Sequence, residues 1–125
     1  QHQRLLQSIS ERAGSRFIFS GDIHALGVTS IVESDKIKLK REVKSFLVGP
    51  ISSSTGTWPS FARGITADNP NQLVCESLYR TKEENGFTLF NIENDKAVAE
   101  INSCGGHNPD NLETGEMISS EKIYI

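Results

Sequence analysis

A short apolar run at residues 17–19, Phe-Ile-Phe, constrains the fold of this 125-residue chain more than any other feature. A continuously apolar run of this length predicts a strand that is buried on both faces. The segment before it carries apolar side chains at helical spacing, namely Leu5, Leu6, Ile9 and Ala13. An amphipathic helix over residues 2–13 is therefore expected to precede the strand, ending at Gly14 and packing its apolar stripe on a sheet.

Further strand patterns follow, mostly in pairs. The predicted strands are residues 28–33, 37–40, 42–48, 87–92 and 96–101. Turn residues separate the first two at Ser34-Asp35 and the last two at Asn94-Asp95, so each of these pairs is expected to form an antiparallel hairpin. Residues 73–80 fit either a helix or a strand, and residues 122–125 fit a final edge strand. This order of elements predicts an α/β (α+β layered) fold with mostly hairpins after the first strand.

Composition and charge narrow the classes of function. The chain is 36% hydrophobic and 23% charged with a net charge of −3, which is typical of one soluble globular unit. We therefore expect residues 1–125 to form a single unit, with an irregular Gly-, Asn- and Pro-rich tail at 103–125. The charge argues against a nucleic-acid-binding face, and no apolar stretch has the length of a membrane helix. The run at residues 36–41, in which Lys alternates with apolar residues, favours one face of a strand.

Two further features concern the chain's context. The first residues, Gln-His-Gln-Arg, contain neither an initiator Met nor the apolar region of a signal peptide, so the chain is expected to begin inside a longer protein. Cys75 and Cys104 have neither the spacing of a metal motif nor a disulfide-rich context. Two free thiols are therefore expected.

The predicted first strand leads directly into a possible metal-binding pair. Gly21 is followed by Asp22 and, two positions later, by His24. Carboxylate and imidazole both bind metal ions, and the end of a buried strand holds ligands rigidly. In an extended segment, residues i and i+2 point to the same side, as a shared metal requires. The alternative is an Asp that caps a turn beside a packed His.

The loop after Gly49-Pro50 holds the candidate substrate-binding residues. Hydroxyls of Ser53 and Ser54 could line a phosphate pocket, Trp58 could wall a cleft, and Arg63 could clamp a phosphate oxygen bidentately. The alternatives are a solvated loop, a Trp that anchors the loop on the core, and a structural ion pair. No nucleophile elbow and no P-loop sequence is present, and no catalytic residue is assigned. The acidic pair Glu83-Glu84 is expected to be solvated.

Four segments together resemble a known family. They are a Leu-Leu helix before Ser20-Gly-Asp-Ile-His24, the strand end Leu47-Val-Gly-Pro50, the segment Trp58-Pro-Ser60 with Arg63-Gly64, and the turn Glu84-Asn-Gly-Phe87. In this order they resemble the C-terminal part of the alkaline phosphatase D family of calcineurin-like metallophosphoesterases. The resemblance spans residues 2–102. Broader metallophosphatases more often have His where this chain has Asp22, and an Asp there fits the alkaline phosphatase D variant.

The resemblance implies a β-sandwich with a flanking helix and a metal-activated water that attacks a phosphate ester. Asp22 and His24 would be metal ligands, and Arg63, Ser53, Ser54 and Trp58 would lie near the substrate. The full enzyme would hold two or more divalent or trivalent metal ions of unassigned identity.

The family's earlier ligand segments have no counterpart here. The chain is therefore expected to be one portion of such an enzyme, with the missing N-terminal half of the same domain as its partner. Alone it is expected to be inactive and to expose apolar surface. Relatives of this type are often exported, and an export signal would lie upstream. The alternative is a non-catalytic β-rich interaction module in which the Asp-x-His pair is incidental.

Overall fold

The computed structural model describes residues 1–21, 25–50, 73–82, 84–93, 96–104 and 119–124. Helix α1 is His2–Glu11, and the strands are β1 Phe17–Ser20, β2 Leu26–Ser34, β3 Val43–Val48, β4 Leu73–Lys82, β5 Gly86–Glu93, β6 Lys96–Ser103 and β7 Ser119–Tyr124. These elements form two sheets and one helix in the described part of the chain. The fold is therefore a β-rich α+β fold, as the order of sequence patterns predicts.

The first sheet has the strand order β1-β3-β2-β4. Strand β1 runs parallel to β3, and β2 runs antiparallel to both β3 and β4. The predicted hairpin between residues 28–33 and 37–40 is therefore wrong, because β2 pairs with β3 and β4 instead. Ile37 and Leu39 pack against the apolar cluster beneath α1, so their alternation with Lys reflects docking on that cluster and not a strand ladder.

The second sheet has the order β5-β6-β7 and is antiparallel throughout. Glu93 pairs with Lys96, so the predicted hairpin of β5 and β6 is confirmed, while its turn residues 94 and 95 lie outside the described residues. Residues 73–80, whose sequence fits either a helix or a strand, belong to strand β4. The predicted final strand at residues 122–125 is present as β7, which begins earlier, at Ser119, and pairs with β6, so the predicted irregular tail over 103–125 is wrong for residues 119–124.

The main core lies between the two sheets. Its buried side chains are Leu26, Val28, Phe46 and Tyr79 from the first sheet and Ala99 and Ile101 from the second. Alternation with period two places residues 26 and 28 of β2 on this inner face and Ile31 on the other. The two sheets therefore form a sandwich whose inner faces supply the core.

Helix α1 covers the outer face of the first sheet. Leu6 and Ile9 pack there against Ile31 and Val43, as an amphipathic helix on a sheet requires. The predicted stripe is only partly correct, because Leu5 is 61% exposed and the helix ends at Glu11 rather than at 13. The helix ends at Glu11 because the backbone of Arg12 has an extended conformation, with φ −67° and ψ 144°. No helix among the described residues has the length and hydrophobicity needed to cross a bilayer.

Strand β1 differs from its sequence prediction in its burial. It lies at the edge of the first sheet, with β3 as its neighbour. The predicted burial on both faces is only partly correct, because Phe17 and Ile18 pack against the apolar clusters on opposite faces but no residue of β1 is fully buried. Phe19 remains 52% exposed although its ring lies 4.6 Å from that of Phe90 in the second sheet. A continuously apolar run is typical of a central strand, and here it forms an edge with an exposed aromatic side chain.

A partly exposed polar pair at the N-terminal end of β3, Glu42 and Lys44, makes stability depend on pH. The carboxylate of Glu42 accepts hydrogen bonds from Lys44 Nζ and Ser30 Oγ, both at 2.6 Å. These two bonds hold the pKa of Glu42 below its ordinary value, with Lys44 the larger cause. Because the folded-state pKa lies below the unfolded one, the stabilisation is complete above the unfolded pKa of about 4.5 and is lost as the pH falls through the folded pKa.

We therefore expect Glu42→Gln to lower the free energy of unfolding at pH 7 by no more than about 1 kcal/mol, since the Glu42 carboxylate is partly exposed. The difference from the unmodified chain should shrink as the pH is lowered below 4.5. Urea denaturation at a series of pH values measures both quantities. Glu33→Gln, which removes one carboxylate at an exposed position of β2, is the matched control. A difference that grows at low pH would contradict the assignment.

Candidate functional site

Three strand ends meet at one edge of the first sheet. Because β1 and β3 are parallel, Ser20 at the end of β1 pairs with Leu47 near the end of β3. Strand β2 starts at the same edge, where Leu26 pairs with Val48. The carboxyl ends of neighbouring parallel strands are a common place for ligand sites in sheets. We call residues 20–21, 25–26 and 48–50 the site edge.

The second sheet joins the first at the site edge. Leu26 also pairs with Lys82 at the end of β4, so the chain passes from the first sheet to the second here. The amide of Gly86, the first residue of β5, donates a hydrogen bond of 2.8 Å to the carbonyl of Pro50. The side chain of Leu26 lies fully buried at this junction. These contacts fix the position of the site edge relative to both sheets.

Two glycines allow this close approach. Gly49 has a φ of +79°, and a Cβ at that position would lie 2.5 Å from Leu26 Cδ2. A Cβ on Gly86 would collide with the backbone carbonyl of Asn102 and lie 2.6 Å from Leu26 Cδ1. Larger residues at either position would push Leu26 out of the junction. The Gly-Pro stop after β3, recognised in the sequence as the end of a strand, therefore also shapes the junction of the sheets.

The two candidate metal ligands, Asp22 and His24, lie outside the described residues. Their flanking residues are described, and both belong to the site edge. Gly21 is exposed, with open space where a Cβ would be, whereas Ala25 is buried beside Leu26. The segment that carries the two candidates thus leaves β1 and enters β2 at the same edge of the sheet.

The candidate substrate-binding residues Ser53, Ser54, Trp58 and Arg63 also lie outside the described residues. The described chain that leads to them ends at Pro50, within the site edge. Whether these side chains approach Asp22 and His24 stays a prediction.

A polar group that the sequence did not single out lies beside the junction. Glu84 is only partly exposed, and its carboxylate accepts a hydrogen bond from the hydroxyl of Ser103, which is fully buried. The prediction that Glu84 is a solvated turn residue is therefore wrong, while Glu83 lies outside the described residues. Asn85 is fully buried too, and its carbonyl accepts a hydrogen bond of 2.9 Å from the amide of Cys104. A carboxylate held by a buried partner thus follows the end of β4.

The two cysteines are free thiols, as predicted. Cys104 lies next to Ser103, near the junction, and Cys75 lies on the outer face of the first sheet against the cluster beneath α1. Burial raises the pKa of the Cys75 thiol, which disfavours the reactive thiolate. Among the residues described, no three His, Cys, Asp or Glu side chains lie close enough together to hold a metal ion.

Comparison of the chain with protein-family models, curated proteins and solved structures gives no significant match. The resemblance to alkaline phosphatase D therefore rests on the sequence segments alone.

Proposed function

We propose that this chain is the C-terminal portion of a metal-dependent phosphoric ester hydrolase of the alkaline phosphatase D type, in which Asp22 and His24 bind metal. The observation that carries the proposal is the meeting of the ends of parallel strands β1 and β3 at the site edge. The segment holding both candidates begins and ends there, in a position where strand ends commonly hold ligands rigidly.

The chemistry of the donors fits a metal ion. A carboxylate and an imidazole suit divalent cations of the first transition series. Bound metal ions of this kind polarise a phosphoryl oxygen and supply a hydroxide nucleophile. Arg63, Ser53 and Ser54 would bind the phosphate oxygens, and Trp58 would wall the cleft.

The open edge of β1 supports the view that the sandwich is one part of a larger metallophosphatase-type domain. The four-residue strand has β3 on one side and no described strand on the other. Phe19 on this edge is half exposed, although edge strands usually carry charged or protected side chains. A further strand from the N-terminal half of the same domain would pair there and cover Phe19. That half would also supply the remaining metal ligands, since two ligands leave an ion mostly bound by water.

The proposal predicts weak metal binding at the site edge. Titration of the chain with Mn²⁺ should broaden the amide NMR signals of Gly21 and Ala25 most strongly. The signal of Asp35, at the opposite end of β2, should broaden least. Asp22→Asn or His24→Gln should weaken the binding by about 10- to 100-fold, because even outer-shell partners of a metal contribute that much.

His2→Gln is the matched control, because His2 lies on α1 and not in the segment between β1 and β2. It should leave the Mn²⁺ effect unchanged. Broadening that centres on other residues, or that persists in both Asp22→Asn and His24→Gln, would refute the metal site.

The second candidate function is a non-catalytic interaction module. Exposed apolar side chains on outer strands favour it, namely Phe19 on β1, Val74 on β4 and Ile92 on β5. Such edges can pair with a strand of another protein. Absence of metal binding at the site edge, together with binding of an extended peptide along β1, would support this function over the hydrolase.

A further inference from the structure

Three arginines gather at the edge of the first sheet opposite the site edge. Arg12 follows α1, Arg16 precedes β1, and Arg41 lies two residues before β3. Since β1 and β3 are parallel, their N-terminal ends are neighbours, and both lie at the far end from Gly21. Arg12 and Arg41 are exposed and Arg16 is half buried. We call these three residues the arginine cluster.

Backbone carbonyls draw two of the guanidinium groups together. Arg41 donates a hydrogen bond of 2.8 Å to the carbonyl oxygen of Arg12, and Arg16 donates one of 3.4 Å to the same oxygen. Arg16 also donates to the carbonyls of Gly14 and Glu42, the latter at 2.9 Å. Two positive charges therefore share one oxygen atom, an arrangement that their mutual repulsion opposes.

Carboxylates near the arginine cluster are already engaged elsewhere. The Glu42 side chain bonds Lys44 and Ser30, and Glu11 accepts a hydrogen bond of 3.3 Å from Gln7. Within the described ranges, the ion pairs are Lys44–Glu42 and Lys122–Glu100, so none involves the cluster. Glu42 is close enough to Arg16 for the guanidinium to help lower the pKa of the Glu42 carboxyl, but no carboxylate of the described residues forms an ion pair with the cluster.

The surroundings add to this positive charge. Ile37 and Leu39 pack inward on the cluster of apolar residues beneath α1, while Lys36, Lys38 and Lys40 between and beside them are exposed. The amide of Lys40 donates a hydrogen bond of 3.3 Å to the hydroxyl of Ser10 on α1, which holds this segment against the helix. The first fifty residues contain eight Lys and Arg against five Asp and Glu, although the whole chain is acidic with 13 against 16.

We propose that the arginine cluster binds a phosphate group. Planar guanidinium groups match the oxygens of a phosphate with paired hydrogen bonds, and each has five N–H donors. The bonds to backbone carbonyls leave several donors of Arg16 and Arg41 free, and the side chain of Arg12 makes no hydrogen bond within the described residues. The backbone bonds preorganise the site, and a bound dianion relieves the repulsion between the two guanidinium groups. This inference is independent of the proposed hydrolase activity.

A purely structural role would explain part of the arrangement. Hydrogen bonds from Arg16 and Arg41 to the carbonyls after α1 stabilise the end of the helix. That role does not require the exposed side chain of Arg12. It also does not require two guanidinium groups, those of Arg16 and Arg41, on the carbonyl oxygen of Arg12. The two roles predict different responses of the arginine signals to phosphate.

Inorganic phosphate is the probe for this site. Titration followed by NMR, against sodium chloride of equal ionic strength, should shift the side-chain Nε–H signals of the arginine cluster with phosphate and not with chloride. Arg12→Gln removes one guanidinium without removing a backbone hydrogen bond, and should weaken phosphate binding by about tenfold. Lys38→Gln, which makes the same change of charge outside the cluster, should weaken it less than twofold.

Two results would overturn the proposal. One is an equal loss of phosphate binding in Arg12→Gln and Lys38→Gln, which would indicate diffuse attraction without a site. The other is a phosphate response no larger than that of chloride. Arg41→Gln provides a second variant, provided that its circular dichroism shows the helix intact, and it should reproduce the loss.

The same chemistry could be supplied by a lipid headgroup. Co-sedimentation with vesicles that contain phosphatidic acid, compared with vesicles of phosphatidylcholine alone, distinguishes the sources. Retention by the acidic vesicles that free phosphate competes away assigns the site to headgroups. Binding of free phosphate without vesicle retention assigns it to a small soluble phosphate.

Discussion

Phe46→Ala is expected to lower the free energy of unfolding by about 4 kcal/mol, because it leaves a large cavity between the sheets. Phe46 is fully buried, and its ring centroid lies 5.7 Å from that of Phe17, 5.5 Å from that of Phe19 and 4.9 Å from that of Phe90. Its edge-on contacts with Phe17 and Phe90 are favourable beyond the area they bury. Urea denaturation at pH 7 measures the change.

Phe19→Ala is the matched control within the same aromatic group. The Phe19 ring is half exposed, so the same truncation should cost about half as much or less. Phe46→Leu keeps most of the buried volume and should fall between the two. Equal costs for Phe46→Ala and Phe19→Ala would mean that the sheets are not packed through Phe46.

Phe46 also links the core to the site edge. It pairs with Phe19 of β1 on one side and with Val28 of β2 on the other, two residues before β3 ends. Its ring contacts the second sheet at Phe90. The relative position of the strand ends at residues 20–21, 25–26 and 48–50 therefore depends on packing through this side chain.

Local sequence patterns predicted the individual helix and strands better than they predicted which strands pair with each other. The helix, most strands and the β5–β6 hairpin follow from periodicity and turn residues, and Glu93 pairs with Lys96 as the short turn requires. The alternation at residues 37–40 satisfied the same pattern without forming a strand. Here Ile37 and Leu39 pack on the apolar cluster beneath α1 while the lysines between and beside them face outward. Such a segment has the same alternating sequence pattern as a strand.

Long-range pairing explains the remaining differences. The parallel pairing of Phe17 with Lys44 joins segments that are far apart in sequence, and no local signal shows that β1 is an edge strand. Glu84 reaches Ser103 because the β5–β6 hairpin places Ser103 opposite Gly86. By contrast, Asp22 and His24 are two residues apart, so their possible role was visible in the sequence, and their spatial convergence stays a prediction.

Gly86→Ala is expected to lower the free energy of unfolding by about 3 kcal/mol, because the added methyl group has no space. Its Cβ would collide with the backbone carbonyl of Asn102, which the β-ladder holds in place, and would lie 2.6 Å from Leu26 Cδ1. Relief by movement of β5 would break the hydrogen bond from Gly86 to Pro50 and open the site edge. Thermal or urea unfolding measures the cost, and the amide signals of Gly21 and Ala25 report the opening.

Alanine substitutions at two other glycines distinguish the effect of steric crowding on the free energy of unfolding from the effect of backbone strain. Gly21→Ala adds the same methyl group at the site edge, where no atom of the described residues lies within 4 Å, and should change the free energy of unfolding by less than about 0.5 kcal/mol. Gly14→Ala also meets open space but must adopt a φ of +81°, and should cost about 1–2 kcal/mol. Gly86 has no such φ, so a cost there above that of Gly14→Ala must come from crowding at the junction of the sheets. If Gly86→Ala lowered the free energy of unfolding as little as Gly21→Ala, Gly86 would not be packed closely against Leu26 and Asn102. The two sheets would then not be joined at the site edge in the way described.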